Sequence, residues 1–321
     1  MQRGSPRGWS DSLCLEGGIR RVVGPLQRRP RGSGAEPVGA LDVDQVKRRV
    51  LALVATFNEA GSLAAVAEAV LASSLGMDLL VVDDNSPDGT GDIADALARK
   101  CPCAHVLHRE RREGLAAALM AGLQWGWARG YEWVMNLDGD LSHDPGEMPA
   151  LAAAMDRADL VIGSRYVGGI RVLNWPARRL FLSLAAARYA RLVTGMPFSD
   201  PTSGFRCFGR EALKVILQAA ISSRGYGFHI ECLHRVWRAG GRVVEVPIHY
   251  TERTTGVTKL TNGIIAEAAW VTWRLLWQSR GRRRPAPPSL PFQTAEGGGA
   301  ASSANETLGR ARATLPERGR G

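Results

Sequence analysis

Tyr131-Glu132-Trp133-Val134-Met135-Asn136-Leu137-Asp138-Gly139-Asp140-Leu141-Ser142-His143 is the stretch on which the fold turns. Its first half suits a buried β-strand, and the strand ends in two carboxylates at i and i+2. In an extended backbone those positions share a face, so Asp138 and Asp140 can point the same way. Two carboxylates aimed together at the end of a buried strand repel unless a cation sits between or beside them. Mg2+ or Mn2+, held by one or two carboxylates plus a diphosphate, meets that need. The plainer reading is a solvated turn. An Asp-x-Asp arises roughly once by chance in a chain this long, and Asp42-Val43-Asp44 is such a decoy. Context has to separate the two.

Outward from this stretch, strands alternate with helices. Val50–Ala55 is a continuous apolar run and Ala60–Ala72 has helical spacing. Leu79–Val82 reads as a second buried strand, Gly91–Lys100 as a helix, His105–Leu107 as a weaker strand and Gly114–Arg129 as a helix. Strand Glu132–Leu137, helix Gly146–Met155 and strand Leu160–Ile162 complete the series. Such alternation predicts an α/β fold, a mainly parallel sheet flanked by helices. Sheets of this kind bind ligands beyond the carboxyl ends of their strands. Phe57-Asn58-Glu59, Asp83-Asp84-Asn85 and Asp138–Asp140 all fall at such ends, so three acidic clusters converge on one rim.

Beyond Ser164 the order changes. A helix is expected from about Pro176 to Val193, then the loop Phe198–Gly204, helices near 210–219 and 227–239, and a final strand Val243–Ile248. An amphipathic helix over 260–278 carries Ile264, Ile265, Ala268, Val271 and Leu275 with Trp270, Trp273 and Trp277. Two readings of it stand side by side: a helix packed on the domain, or one lying at a bilayer interface.

The 321 residues carry a net charge of +10. Residues 1–49 hold ten Lys/Arg against five Asp/Glu and residues 279–321 hold eight against three, which leaves 23 of each in residues 50–278. The folded part is therefore neutral, and a nucleic-acid partner is not expected. One domain over 49–278, between disordered basic tails at 1–48 and 279–321, fits the Gly, Pro and Ser around the tail arginines. The five cysteines show no disulfide framework, and reduced thiols are the expectation. No apolar run is long enough for a membrane span. A cytoplasmic protein, peripheral on the cytosolic membrane face, is expected.

Several strings, in order, resemble one family. They are Ala55-Thr56-Phe57-Asn58-Glu59, Val82-Asp83-Asp84-Asn85-Ser86-Pro87-Asp88-Gly89-Thr90 and Asp138-Gly139-Asp140-Leu141-Ser142-His143-Asp144-Pro145. Gly163-Ser164-Arg165-Tyr166, Ser203-Gly204-Phe205-Arg206 and Gly225-Tyr226-Gly227-Phe228-His229-Ile230-Glu231 follow. Together they are similar to the dolichol-phosphate mannosyltransferases, or polyprenol monophosphomannose synthases. These are inverting family-2 glycosyltransferases of GT-A fold, a single Rossmann-like domain. The resemblance spans roughly residues 50–275.

The resemblance implies transfer of mannose from GDP-mannose to a polyprenyl monophosphate in the membrane, with Mg2+ or Mn2+ and with or without a membrane-protein partner. It implies metal contacts from Asp138, Asp140 and Ser142, and a nucleotide-sugar site of Ala55, Phe57, Glu59, Asp83, Asp84 and Asp138. The acceptor is itself a phosphate, ionised near neutral pH, so it requires cations to orient it and no general base. Arg165, Arg179, Ser183, Arg253 and Lys259 are the candidates, with Arg165 grouped with Asp138 and Asp140 as catalytic. Arg179 and Ser183 lie one helical turn apart, on one face. His143 and His229 read as supporting groups, and Asp200, Ser203 and Arg206 as shaping the acceptor side.

Ala55 and Phe57 stand where the family has Pro and Tyr, and Leu184-Ala185-Ala186-Ala187 where Arg-Gly-Ala-Asn is common. These departures bear on nucleotide preference and acceptor fit. Transfer from UDP-glucose to the same lipid, and a non-catalytic nucleotide-binding scaffold subunit, are the competing expectations.

Overall fold

The computed structural model describes residues 48–223, 225, 227–251 and 262–279. Most of the expected tails, and the segment with Arg253 and Lys259, lie outside the described residues.

The central sheet has seven strands in the order β3-β2-β1-β4-β7-β5-β8. They are β1 (Val50–Thr56), β2 (Asp78–Asp83), β3 (Ala104–His108), β4 (Trp133–Asp138), β5 (Leu160–Ser164), β7 (Arg206–Gly209) and β8 (Val243–Pro247). The pairings β3·β2·β1·β4 and β5·β8 are parallel, and β7 runs antiparallel between β4 and β5. A small second sheet joins β6 (Val172–Leu173) to β9 (Tyr250–Thr251).

Successive residues of each strand feed opposite faces, which is why the strands read as unbroken apolar runs. On one face Val50, Ala52, Val54, Leu79 and Val81 pack with α1 (Leu63–Leu71), α2 (Thr90–Lys100) and α4 (Met148–Ala154). On the other, Leu51, Leu53, Leu80 and Val82 pack with α3 (Leu115–Ala128), α6 (Arg210–Gln218), α7 (Gly227–Arg238) and α8 (Asn262–Gln278). The eighth helix in this count, α5 (Ala177–Thr194), buries Ala187 and Ala190 and packs on α8. Two glycines let α3 sit close to the sheet. A Cβ on Gly122 would lie 2.2 Å from Leu53 Cδ1, and one on Gly126 2.8 Å from Val134 Cγ2.

The chain runs from β1 outward to β3, then returns to the opposite side of β1 as β4. Strand order reverses there, and the crevice at such a reversal is where open α/β sheets bind ligands. The register sets Ala55 against both Val82 and Asp138, so the first, second and third acidic clusters meet at that point.

Differences from expectation have local causes. The helix expected from Ala60 begins at Leu63 because Glu59 and Ser62 form a turn first. Pro145 opens a 3₁₀ turn, so α4 starts only at Met148. Strand β7 has four fully buried residues and begins with an arginine, too short and too charged at its start to stand out. Not all cysteines are free: Cys101 and Cys103, brought round by Pro102 with Cα atoms 5.2 Å apart, form a disulfide, while Cys207 and Cys232 are buried thiols.

Candidate active site

The rim at the end of β1 and β2 is an interlocked set of turns. Asp88 accepts from Thr90 N at 3.0 Å and Thr90 Oγ1 at 2.5 Å, and from Ala60 N at 3.1 Å. Thr90 Oγ1 in turn accepts from Glu59 N at 3.0 Å. Burial pushes the Asp88 carboxyl up, but these donors outweigh it and hold the pKa below the usual carboxylate range. Asp83 and Asp84 are buried and already bonded. Asp83 accepts from Ser86 Oγ at 2.5 Å and Ser86 N at 3.2 Å. Asp84 accepts from Gly114 N at 2.7 Å and Glu113 N at 3.1 Å, and pairs with Arg109 Nε at 3.2 Å. Asp84 thereby fixes the loop that starts α3. Over the Phe57 ring lies the Arg112 guanidinium, 3.9 Å from the ring centroid, a contact that sequence spacing gave no reason to expect.

At the end of β4 the carboxylate pair lies on a tight turn whose third residue, Leu141, has φ 61°. Left-handed backbone is uncommon for a branched side chain and persists where the surroundings impose it. Asp140 is buried, and its Oδ1 accepts from Ser142 Oγ at 2.5 Å and Ser142 N at 3.1 Å. Ser142, expected among the metal contacts, is thus the residue that orients Asp140. Asp138 keeps 38% of its side chain exposed. Its backbone N donates to His143 Nδ1 at 3.2 Å, which leaves the proton on Nε2 of a neutral ring. Burial lowers the His143 pKa despite the nearby carboxylates. Gly204 closes the pair from the side. A Cβ there would meet Asp138 Oδ1 at 3.4 Å, His229 Nε2 at 3.5 Å and His143 Cε1 at 3.6 Å.

Asp138 and Asp140 offer hard carboxylate oxygens, the donor type that suits Mg2+ or Mn2+. Among the described residues no group of three or more His, Cys, Asp or Glu could hold a metal ion.

The other side of the rim carries the cations. Arg165 is buried and forms a two-pronged pair with Asp200, Nε and Nη2 each 2.7 Å from a carboxylate oxygen, and Nη2 also donates to Thr202 Oγ1 at 2.8 Å. Burial alone would lower the Arg165 pKa, but Asp200 raises it, so the guanidinium stays charged. Expected as a cation offered to a phosphate, Arg165 already has a buried counter-ion. Asp200 N and Ser199 N donate to Glu245 at 2.9 and 2.7 Å, which holds the loop. Tyr166 OH donates to Ser183 Oγ at 2.7 Å, and Arg179 lies 4.4 Å from the Trp175 ring centroid, with Arg165 5.8 Å from the same ring. The structure thus gathers Arg165, Arg179 and Ser183 around one aromatic cluster. Arg206 is wholly buried and donates to three backbone carbonyls, of Ser203, Pro201 and His229 at 2.8, 2.8 and 2.6 Å. It braces the loops, and burial brings its pKa down to about 10. Arg253 and Lys259 lie outside the described residues.

One junction went unread in the sequence. Glu231, fully buried, accepts from Ser223 Oγ at 2.5 Å and pairs with Arg235 Nη2 at 2.6 Å and Arg274 Nη2 at 2.7 Å. These pairs lower its pKa against the effect of burial. They tie α7 and α8 to Ser223.

The family model described as "Glycosyl transferase family 2" matches residues 52–217. Over 220 residues the chain is 44% identical to an undecaprenyl-phosphate mannosyltransferase of Micrococcus luteus, covering 68% of this chain and 90% of that one. Over 256 residues it is 43% identical to a polyprenol monophosphomannose synthase of Mycolicibacterium smegmatis, covering 79% and 94%. Among solved structures, glucosyl-3-phosphoglycerate synthase of Mycobacterium tuberculosis, in complex with Mn2+, UDP and phosphoglyceric acid, shares the fold. It aligns with a TM-score of 0.56 at 20% identity, over 76% of this chain and 89% of that one.

Proposed function

The chain belongs to glycosyl transferase family 2, and from that premise we propose that it transfers mannose from GDP-mannose to a polyprenyl monophosphate, with inversion. The observation that carries the reading is the rim itself. A carboxylate pair, Asp138 and Asp140, stands at the strand-order reversal, beside a cluster of Arg165, Arg179 and Ser183. Carboxylates at one end suit a nucleotide diphosphate held through a divalent cation, and cations at the other suit a second, phosphate-bearing substrate.

Asp138 and Asp140 would hold Mg2+ or Mn2+, which when bound offsets charge developing on the leaving nucleoside diphosphate. Ser142 keeps the Asp140 carboxylate aimed, and neutral His143 packs beside Asp138 without adding charge. Ala55, Phe57, Glu59, Asp83 and Asp84 form the nucleotide side. There Asp83 and Asp84 act chiefly by fixing the Ser86 turn and the start of α3. Arg179 and Ser183 orient the acceptor phosphate, and Arg165 keeps the neighbouring loop in register through Asp200. An ionised phosphate oxygen attacks the anomeric carbon without a base to deprotonate it.

The acceptor's chain lies in a membrane, and an exposed apolar face supports attachment to one. Phe181 and Leu192 on α5 are 75% and 72% exposed, and Trp270 and Trp277 on α8 are 61% and 58% exposed. Exposed Arg178, Arg188 and Arg191 flank them on α5. Tryptophan with arginine suits the boundary of an anionic bilayer. No helix among the described residues is long and apolar enough to cross a membrane. Peripheral attachment at the cytosolic face, unaided or with a membrane-protein partner, completes the proposal.

Radiolabelled sugar transfer to a short polyprenyl phosphate tests it, with GDP-mannose and UDP-glucose compared in Mn2+, Mg2+ or chelator. Metal-dependent labelling from GDP-mannose alone supports the reading. Labelling from UDP-glucose overturns the donor, and no labelling from either, with membranes of the source cell supplied, overturns the catalytic assignment.

A further inference from the structure

Trp175 stands in the short link between β6 and α5, where Asn174 turns the chain with φ 62°. Asparagine is one of the few residues besides glycine that adopt this left-handed backbone readily. Pro176 follows and leads into α5, so the backbone is constrained on both sides of the indole. The side chain is half-buried. Its Nε1 is shut off from water and has no hydrogen-bond partner among the described residues. An indole N–H can only donate, and a buried donor without an acceptor costs free energy.

The surroundings of the indole select the kind of acceptor that suits it. The Arg179 guanidinium lies 4.4 Å from the ring centroid and that of Arg165 5.8 Å. Two cations against one ring favour an anion beside it. On the other side Tyr250 meets the indole edge-on at 5.3 Å and the His143 ring edge-on at 5.2 Å. Tyr250 also bridges to His143 through the backbone, and Thr251 N donates to Ser142 O at 3.2 Å. A single aromatic ring therefore separates the indole from the turn that follows Asp138 and Asp140. Trp175 thus lies at the boundary between the carboxylate pair and the cation cluster, where two phosphate-bearing substrates would have to meet.

We propose that Trp175 is a specificity-determining residue for the acceptor: its indole N–H donates to an oxygen of the acceptor phosphate, and its ring holds the Arg179 guanidinium at that phosphate. The inference rests on the polyprenyl phosphate reading above. A dianionic phosphate presents oxygens that only accept, which matches a group that only donates. A hydrogen bond to a charged partner is also roughly twice as strong as one between neutral groups. A hydroxyl of the transferred sugar is the poorer match. It brings a proton that needs a partner of its own, and it gains less from the two guanidinium groups.

The test uses the full chain with two variants. Trp175→Phe keeps an aromatic ring beside Arg179 and removes the N–H, whereas Trp175→Leu removes both. Equilibrium binding of farnesyl phosphate and of farnesol is measured, together with the steady-state KM for GDP-mannose. Trp175→Phe should weaken farnesyl phosphate about tenfold, the size of one charge-assisted hydrogen bond. Trp175→Leu should weaken it further, with farnesol binding and the GDP-mannose KM at parental values in both. Parental affinity for farnesyl phosphate in Trp175→Phe, or an equal weakening of farnesol, would overturn the assignment. So would a raised GDP-mannose KM, which would put the N–H on the donor, or a parent chain that binds no farnesyl phosphate. A parent that binds farnesyl phosphate with the expected dependence on Trp175 yet transfers no mannose would overturn the proposed reaction and leave Trp175 assigned.

Discussion

Asp140 owes its aim to Ser142, whose hydroxyl and backbone N both reach the same carboxylate oxygen. Ser142→Ala removes one of these donors, and groups that orient a metal-binding side chain are worth about 10–100-fold in metal affinity. The variant should need about tenfold more Mn2+ for half-maximal transfer while retaining turnover at saturating metal. Asp140→Ala should lose transfer at every metal concentration. An unchanged metal titration for Ser142→Ala would show that the turn holds Asp140 without the hydroxyl. The carboxylates were legible because a two-residue spacing at a strand end has one geometric meaning. The partner of Arg165 was not: Asp200 lies 35 residues away, and nothing local links them. Breaking that buried pair by Asp200→Ala should cost about 3–5 kcal/mol, since it strands a desolvated guanidinium. Replacing both residues, Arg165→Met with Asp200→Leu, should cost less than Asp200→Ala alone. Urea unfolding of the two variants measures the difference.

The elements divide by how much of their environment a short window of sequence contains. Parallel strands buried on both faces announce themselves as apolar runs, and β1, β2 and β4 were legible for that reason. Strand β7 takes its place from β4 and β5, which it joins antiparallel, so no local pattern marks it. Of the two expectations for helix α8, packing on the domain is what its buried side chains show, and the bilayer face is part of the proposal. Val271 and Leu275 are buried in the domain, while Trp270, Trp273 and Trp277 are exposed. Replacing these three tryptophans by serine should remove most binding to anionic vesicles and leave GDP-mannose binding unchanged. Co-sedimentation equal to the parent's would sink the membrane assignment of this face. Helix α3 makes a stricter demand, because a Cβ on Gly122 would overlap Leu53. Gly122→Ala should therefore destabilise the fold by about 1–3 kcal/mol, although alanine is the better helix former. A gain in urea midpoint would show that Leu53 can move aside.

Over the whole molecule, charge is arranged so that the folded part carries almost none, and several ionisable groups sit where water does not reach. His234 is buried on α7, and its Nε2 has no hydrogen-bond partner among the described residues. Burial, with help from Arg238 and Arg235, pulls its pKa down from 6.5 to about 4. In the unfolded chain the same ring titrates near 6.5, so between these values the unfolded state binds the extra proton. The stability that the neutral ring confers is complete above pH 6.5 and is lost as the pH falls toward 4, for a total of about 3 kcal/mol. Glu245, whose pKa burial raises, works in the opposite sense, so the comparison of a variant with its parent isolates the histidine. His234→Phe keeps the ring volume and leaves nothing to protonate. Urea unfolding at pH 7.5, 6 and 5 should give a shallower fall in stability for the variant, and the gap between the two curves should widen toward acid. Parallel curves would mean that His234 stays hydrated enough to titrate normally, and that the α7 face is more open to water than its packing implies.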